Sequence, residues 1–495
     1  MSYTELIAAV KEANILSSIE GLLDWDSETV MPEKGLPARA EQLSLMAALA
    51  HQRRTDPRIG EWLGQLEGKD ADESQAANLR EIRRGYDRAV KLPAELIRKI
   101  AHASTLAKDA WGKARAEKNF TAFAPHLSTL LDLKRQVADA IGYAAEPYDA
   151  LLDEYEPGMT TAQVADVFGA LRGPLSDFVK RLQNAPKRPD PAVLHRRFDR
   201  AAQEKFARRM AEVVGFDFTA GRLDVSKHPF CSGSYPGDIR LTTRYYEDFF
   251  SPSVFGVLHE SGHGLYEQGL PVDHAFTPLG QPVSLGIHES QSRLWENFVG
   301  RSRGFWEKFY NEAQTAFAES LRDVSLDQFH AAINVVQPSC IRVEADEVTY
   351  NLHIIVRFEM ERAMIGGKLA VKDVPEAWNA RMKEFLGITP PDDALGCLQD
   401  IHWSMGAFGY FPTYALGNLY AAQFFDAAKK AIPDLPDQIR AGRLRPLLDW
   451  LRETIHRHGQ RYRAADLVQR VTGKPPSIEP FLAYVREKFS PIYGL

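Results

Sequence analysis

Apolar residues recur at intervals of three and four along most of the chain, and this spacing restricts the fold more than any other feature. Such spacing puts apolar side chains on one face of an α-helix, and good helix formers (Ala, Leu, Glu, Arg and Lys) fill the remaining positions. We therefore predict a mainly α-helical protein. Examples of the predicted helices fall at about residues 38–52, 75–92, 93–116, 119–141, 161–183, 197–214, 251–267, 284–300, 304–322, 341–365, 412–430 and 476–489.

One segment departs from the helical pattern. Residues 216–246 alternate between apolar and polar side chains and are rich in Gly, Thr and aromatic residues, which predicts two or three short strands. The chain contains no low-complexity linker and no repeat of fixed period. We therefore expect a single domain over residues 1–495, with a small β insertion near 216–246.

Composition excludes several classes of protein. Lys and Arg number 60 against 66 Asp and Glu, a net charge of −6 that gives no electrostatic reason to expect nucleic acid as a partner. The three cysteines lie far apart without CxxC spacing, which excludes a disulfide scaffold and a thiolate zinc site and favours a reducing compartment. The sequence has no apolar run of about 18 residues, and its N-terminal stretch lacks the unbroken apolar core that is typical of a signal peptide. We expect a soluble, cytoplasmic protein without a membrane partner.

An HExxH motif at residues 259–263 lies within one of the predicted helices. Positions four apart on a helix differ by about 40° in direction, so His259 and His263 share a face and can bind one metal ion. Glu260 lies one residue further on, where it can reach a water molecule at the ion without being a ligand. The motif predicts a zinc site with Glu260 as the general base.

A catalytic zinc ion usually takes a third protein ligand besides the two histidines. Position 269, where the metzincin pattern needs a histidine, is Gly. Glu267 lies two turns from His259, about 12 Å along the axis, so one helix cannot supply all three ligands. We expect the third ligand from the helix predicted at 284–300. Spacing alone does not choose among its three candidates, Glu289, Glu296 and His288.

Five further motifs accompany HExxH. They are HPF at 228–230, DxRxT at 238–242, HESQ at 288–291, IRxxAD at 341–346 and GxxQDxHW at 396–403. Two other stretches belong with them, WDSETVMP at 25–32 and YEPG at 155–158. With this set, the chain resembles the carboxypeptidase Taq family of zinc metallocarboxypeptidases nearly from end to end.

The resemblance implies a site, a fold and an activity. It makes Glu289 the third ligand of one Zn²⁺ per chain, which Co²⁺ or Mn²⁺ can replace. It implies a mainly helical fold with a deep substrate groove, like that of angiotensin-converting enzyme and neurolysin, and a homodimer. The implied activity is the release of single C-terminal amino acids from peptides with broad specificity, by a single catalytic metallocarboxypeptidase domain.

An enzyme of this kind must hold the free carboxylate of its peptide substrate, and a planar guanidinium can do so with two parallel hydrogen bonds. Arg240 and Arg342 are the candidates, and the sequence does not rank them. Arg240 is two residues from Asp238 on the predicted strands, so both should point to one face. On its predicted helix, Arg342 would form one polar stripe with Asp346 and Tyr350.

Four other residues are candidates for substrate contacts: His228, His402, Tyr410 and Tyr414. Either tyrosine could donate its hydroxyl to the tetrahedral intermediate, although buried packing is the better interpretation for at least one of them. His228 could equally well shape its loop. His402 and Asp400 could orient a metal ligand or stabilise the oxyanion, and a structural network explains Asp400 equally well.

Two alternatives remain open from the sequence. An oligo-endopeptidase or a dipeptidyl carboxypeptidase on the same helical scaffold would also combine HExxH with a distant Glu, and product length would distinguish it. An inactive metal-binding scaffold protein is less favoured, because such a protein has no need of Glu260.

Overall fold

The computed structural model describes residues 3–495, which divide into two compact units. The first unit comprises the residues up to Val90, Asp190–Ile333 and Ala421–Pro475. The second comprises Lys91–Pro189, Asn334–Tyr420 and Pro476–Leu495. The prediction of one catalytic domain over residues 1–495 stays a prediction.

Helices make up most of both units, as predicted. Those of the first unit are Tyr3–Thr29, Leu36–Arg54, Pro57–Leu66, Glu73–Lys91, Arg200–Val214, Ser251–Gln268, Leu285–Arg293, the π-helix Leu294–Gly300, Arg303–Ala316, Ala318–Leu321, Leu326–Ala332, Leu435–Arg440, Arg445–Thr454 and Ala464–Thr472. Those of the second are Ala94–Ala116, Phe120–Ile141, Pro147–Leu152, Thr161–Gln183, Tyr350–Ile365, Val374–Leu386 and Glu479–Tyr493. Helix Pro412–Ala431 contributes residues to both.

Short 3₁₀ turns join many of these helices. They are Glu33–Gly35, Ala192–His195, Val272–His274, Pro278–Gly280, Arg342–Glu344, Val371–Asp373, His402–Met405 and His456–Arg461. None of the helices within residues 3–495 combines the length and the apolar character needed to cross a bilayer.

The predicted β insertion is a three-stranded sheet in the first unit. Its strands are β1 (Gly221–Val225), β2 (Cys231–Ser232) and β3 (Ile239–Thr243). The order is β1-β3-β2, with β3 parallel to β1 and antiparallel to β2. Four of the five residues of the central strand β3 are buried, and β3 packs against helix Ser251–Gln268. The sheet therefore supports the helix that carries HExxH.

An aromatic cluster in the first unit supports the start of the same helix. The ring of Phe250 lies 5.3–5.6 Å from those of Phe198, Phe317 and Phe329, in tilted or edge-on arrangements. Phe255, one turn into the helix, contacts Trp306 edge-on at 6.3 Å. Aromatic pairs of this geometry contribute about 0.5–1.5 kcal/mol each beyond the area they bury. The N-terminal half of the helix is thus fixed by the core.

The helix predicted over 341–365 is wrong at its start. Residues 342–344 form a 3₁₀ turn, and the α-helix begins only at Tyr350. The carboxylate of Asp346 accepts hydrogen bonds from the backbone N–H groups of Val348 and Thr349 at 2.9 Å, and from the Thr349 hydroxyl at 2.7 Å. An Asp that binds nearby N–H groups in this way competes with a helix and favours its beginning. Arg342 and Asp346 therefore do not share a helix face.

Candidate active site

The HExxH motif lies in the middle of helix Ser251–Gln268, between the sheet and helix Leu285–Arg293. A proline in the first helical turn begins the helix, where its missing N–H costs nothing. Val254, Leu258 and Leu265 are fully buried. His259 and His263 lie on the face turned towards the second helix, and both are partly buried.

Gly262, inside the motif, lets the two helices approach closely. A Cβ atom at this position would lie 2.5 Å from the carbonyl oxygen of Gln291 and 2.5 Å from the Cα of Ser292. Any side chain would therefore push helix Leu285–Arg293 away. The close approach brings Glu289, on that helix, to the two histidines.

Three potential ligand atoms converge between these helices. The Nε2 atoms of His259 and His263 lie 3.6 and 3.4 Å from Oε2 of Glu289. One ligand atom from each of the three residues lies within 4.8 Å of the others, so the cluster could hold a metal ion. Two Zn–N or Zn–O bonds of about 2.0–2.1 Å at a tetrahedral angle put their donor atoms about 3.3 Å apart. The observed spacing fits such a site.

The other nitrogen of each histidine has a polar partner. Nδ1 of His259 lies 2.9 Å from Oε2 of Glu296. Nδ1 of His263 contacts Nδ1 of His288, whose Nε2 lies 2.8 Å from Oε1 of Glu267. Since each Nδ1–H group can donate a hydrogen bond to its partner, the lone pair of each Nε2 remains for an ion. Glu296 and His288 thus contact the far side of the imidazoles.

Glu296, one of the three candidates for the third ligand, pairs with two arginines. It is buried, and its oxygens lie 3.3 Å from Nη1 of Arg293 and from Nη2 of Arg301. Burial opposes its charged form, but Arg293 and His259 outweigh burial and lower the pKa of Glu296 to about 2. Burial likewise disfavours the Glu289 carboxylate, yet Arg293 and His259 hold its pKa well below the usual range. Both groups are therefore anions at neutral pH.

Glu260 differs from these two carboxylates. It is buried, and burial raises its pKa to about 7, with His259 acting in the opposite direction and Glu289 adding to the rise. A carboxyl group whose pKa lies near neutrality can both accept and return a proton.

The candidates Asp238 and Arg240 are bonded to each other in the first unit. Nε and Nη2 of Arg240, on β3, donate to the two oxygens of Asp238 at 2.8 and 3.0 Å. The Arg240 guanidinium also stacks on the ring of Trp25, 4.2 Å from its centroid. His228, between β1 and β2, has an exposed side chain, and its backbone oxygen accepts a hydrogen bond from Ser226. The guanidinium fork of Arg240 is therefore occupied within the chain.

Arg342 belongs to a buried cluster in the second unit. Its Nε and Nη2 donate to Oδ1 of Asp400 at 3.0 and 2.8 Å, and its Nη1 donates to the Tyr350 hydroxyl at 2.8 Å. Arg357, fully buried, donates to the other oxygen of Asp400 and to Gln399, both at 2.7 Å. Burial opposes ionisation of Asp400, but the two arginines hold its pKa well below its usual range. Two guanidinium groups and one carboxylate leave the cluster with a net positive charge.

His402, Tyr410 and Tyr414 form an aromatic group beside this cluster. Nε2 of His402 lies 3.3 Å from the hydroxyl of Tyr414, and the Tyr410 ring lies 5.4 Å from the imidazole and 5.3 Å from the ring of Tyr414. Burial lowers the pKa of His402 to about 4 despite the Asp400 carboxylate. The imidazole is therefore neutral at physiological pH. The guanidinium carbon of Arg342 lies 5.0 Å from the Tyr414 ring.

Comparison with known proteins identifies the family. The model of the carboxypeptidase Taq (M32) metallopeptidases matches residues 5–489. The chain belongs to this family.

Three relatives match this chain over nearly its full length. Thermostable carboxypeptidase 1 of Thermus thermophilus is 48% identical, and the match covers 100% of this chain and 99% of the relative. Carboxypeptidase 1 of Bacillus subtilis is 36% identical, over 99% and 98%. The crystal structure of an M32 carboxypeptidase from Deinococcus radiodurans R1 superposes with a TM-score of 0.96 at 39% identity, over 100% and 99%. The predicted family, fold class and metallocarboxypeptidase class of this enzyme are confirmed.

Sequence reasoning missed several residues of the two clusters described above. Arg293 contacts Glu289 of the metal cluster and also Glu296, and Arg357 completes the Asp400 cluster, yet neither arginine belongs to a recognised motif. Glu267 was excluded as a ligand but not considered as the partner of His288. A signal was available for Arg293, which lies four residues after Glu289 and three before Glu296, both ion-pair spacings on a helix. Arg357 gave no signal, because an arginine inside an apolar helical run is usually exposed.

Proposed function

We propose that the chain is a zinc-dependent carboxypeptidase that releases single C-terminal amino acids from peptides, with zinc held by His259, His263 and Glu289. The observation that carries the proposal is the convergence of both Nε2 atoms on one oxygen of Glu289, at distances suited to a tetrahedral ion. Two imidazoles and a carboxylate form a donor set typical of catalytic zinc in peptidases. Co²⁺ or Mn²⁺ should be able to occupy the same ligands.

The ion and the side chains of the protein would contribute different parts of the chemistry. When bound, zinc supplies a Lewis acid that makes water more acidic and polarises a carbonyl oxygen. Glu260 acts as the general base: it takes a proton from the attacking water and passes it to the leaving amine as the peptide bond breaks. Its burial and its pKa of about 7 favour this exchange. Glu296 and His288 hold the two histidines by their Nδ1 atoms throughout.

Arg342 is the better-supported candidate for the substrate carboxylate. The charge of Arg240 is already paired with Asp238 through its Nε–Nη2 edge, whereas Arg342 belongs to a cluster with one positive charge in excess. A buried positive charge favours an anionic partner. A further role belongs to His402, Tyr410 or Tyr414, which can donate hydrogen bonds to the developing oxyanion.

The test is the product of the reaction. Metal content is measured first, and a defined peptide is then digested with and without a chelator and analysed by mass spectrometry. Single amino acids released in a chelator-sensitive reaction, with about one zinc ion per chain, are the expected result. Dipeptides or internal fragments would support the dipeptidyl carboxypeptidase or endopeptidase alternative instead, and no turnover with normal metal content would support an inactive scaffold. Broad specificity, the substrate groove, the homodimer and the cytoplasmic location stay predictions.

A further inference from the structure

Arg293 lies where helix Leu285–Arg293 ends and the π-helix Leu294–Gly300 begins. Its Nε lies 2.7 Å from Oε1 of Glu289, one turn before it. Its Nη1 lies 3.3 Å from Oε2 of Glu296, in the wider turn after it. One guanidinium therefore bridges the carboxylate of the proposed ligand and the carboxylate that contacts the other side of His259.

The contact with Arg293 determines how Glu289 can bind an ion. Its Oε1 is directed at the guanidinium, whereas Oε2 faces both histidines and accepts a hydrogen bond from Ser292 at 3.0 Å. Charge-assisted hydrogen bonds of this length are among the stronger ones in proteins. An oxygen held in this way does not turn towards the ion. Glu289 is thus prepared to bind through a single oxygen, which leaves the remaining position for water and substrate.

The same arginine acts on His259 through Glu296. The Glu296 carboxylate would be costly to bury alone, and Arg293 and Arg301 compensate its charge from two directions. With that compensation it can accept a hydrogen bond from the Nδ1–H group of His259 and fix the orientation of the imidazole. His263 is held differently, by His288 and Glu267, and the Arg293 contacts described above do not extend to it.

We propose that Arg293 is a positioning residue that fixes two of the three metal ligands, restricting Glu289 to one-oxygen coordination and holding Glu296 against His259. This inference rests on the proposed zinc site. It assigns to Arg293 a role in the geometry of coordination as well as in charge balance. Geometry and charge can be separated by experiment, because lysine keeps the charge but not the fork.

The experiment compares Arg293→Gln and Arg293→Lys with wild type and with a control, Arg303→Gln. Arg303 also forms ion pairs with two carboxylates, Glu307 and Asp327, but on the surface of the first unit. Three quantities are measured: the affinity for Zn²⁺ by chelator competition, the visible absorption of the Co²⁺-loaded protein, and the unfolding midpoint of the metal-free protein. None of them depends on turnover.

We expect Arg293→Gln to lower zinc affinity by about 10- to 100-fold, as is typical when a residue that hydrogen-bonds a metal ligand is lost. Its Co²⁺ absorption should weaken, since a freed Oε1 lets Glu289 bind through both oxygens and raises the coordination number. Arg293→Lys should change both quantities in the same direction but less, because one ammonium can contact only one of the two carboxylates. Arg303→Gln should match wild type.

An unchanged affinity and spectrum in Arg293→Gln would overturn the proposal. So would a loss of affinity with an unchanged spectrum, because charge alone would then explain the loss. If Arg293→Gln fails to fold, the spectrum of Arg293→Lys decides between the same outcomes. A wild-type protein that binds no stoichiometric metal contradicts the proposed function itself, and that result is distinguishable from all of these.

Discussion

Glu260 is the residue whose role can be isolated most directly, because it adjoins His259 but is not part of the cluster of three ligand atoms. Glu260→Gln keeps the shape of the side chain and removes its ability to accept a proton. We expect near-normal zinc content and a loss of about 10²–10⁴-fold in kcat, the usual effect of removing a general base. Zinc content and turnover should be measured on the same preparation. Loss of zinc together with activity would instead make Glu260 a contributor to metal binding.

Glu289 and Glu296 both contact His259, but on opposite nitrogens. Glu289→Ala removes a proposed ligand, whereas Glu296→Ala removes the hydrogen-bond partner of the ligand His259. We therefore expect Glu289→Ala to lower zinc affinity far more than the loss of about 10- to 100-fold expected for Glu296→Ala. Competition with a chromogenic chelator measures both. A larger loss in Glu296→Ala would move the ligand assignment to Glu296.

If Arg342 binds the substrate carboxylate, peptides with an amidated C-terminus should be poorer substrates than the free acids. A charge-assisted pair with Arg342 is worth about 1.5–3 kcal/mol, so amidation should lower kcat/KM by about ten- to over a hundredfold. Arg342→Lys should narrow this ratio between acid and amide substrates, because it lacks the bidentate fork. Arg240→Lys, the matched control, should leave the ratio unchanged. If wild type cleaves both peptides equally well, carboxylate recognition is wrong and the endopeptidase alternative gains support.

At the level of elements, hydrophobic spacing predicted many of the helices, and two segments depart from the predicted pattern. The segment 341–365 carries a helical pattern from its first residue, but Asp346 binds backbone N–H groups and delays the helix to Tyr350. The segment 284–300 was predicted as one helix, and it changes to a π-helix at Leu294. Neither event alters the apolar spacing, so periodicity alone cannot detect it.

The candidate site was predicted in part for a similar reason. The pattern HExxH specifies which two histidines share a face, because that depends only on local helix geometry. The choice among Glu289, Glu296 and His288 depends on how two helices pack, and spacing along one helix does not contain that information. The position of Gly262 within the motif was the relevant signal, since it marks a close helix–helix contact.

Helix packing yields a prediction at Gly262. Gly262→Ala places a methyl group within about 2.5 Å of helix Leu285–Arg293, so the helices must separate and Glu289 must withdraw from the histidines. Overpacking of this kind costs about 1–3 kcal/mol, and zinc affinity should fall as well. The control is Gly169→Ala, in helix Thr161–Gln183, where a Cβ meets nothing within 4 Å. That variant should be stabilised by up to about 1 kcal/mol. If Gly262→Ala and Gly169→Ala changed the free energy of unfolding and the zinc affinity to the same extent, the packing argument would be contradicted.

For the whole molecule, the M32 family match extends over residues 5–489, so its members share the organisation of the entire chain and not only a site. Stability of the whole chain should then depend on buried groups far from catalysis as well as on the metal cluster. His456 is a buried group that is not a metal ligand: it is fully buried, and its Nε2 lies 2.9 Å from Oε1 of Gln291, which lies on the same helix as Glu289.

Burial lowers the pKa of His456 to about 3, from a usual value of 6.5, and Arg452 adds to the shift. Above about pH 6.5 both the folded and the unfolded states are neutral at this residue, so it contributes no pH dependence. Between about pH 6.5 and 3 the unfolded state takes up a proton that the folded state does not, and the free energy of unfolding falls by about 1.4 kcal/mol per pH unit. By about pH 5 the expected loss from His456 alone is about 2 kcal/mol.

The prediction is tested with the metal-free protein, in chelator, so that protonation of metal ligands does not affect the comparison through metal release. We expect His456→Gln to be less stable than wild type at about pH 7.5. Because the variant lacks the titrating group, only wild type loses the His456 contribution as the pH falls. The difference in the free energy of unfolding between the two should therefore change by about 2 kcal/mol in favour of the variant at about pH 5. His102→Gln, at an exposed position, should run parallel to wild type at every pH. Urea unfolding at a series of pH values measures the difference. A difference between wild type and His456→Gln that stays constant with pH would show that His456 is protonated in the folded state as readily as in the unfolded one.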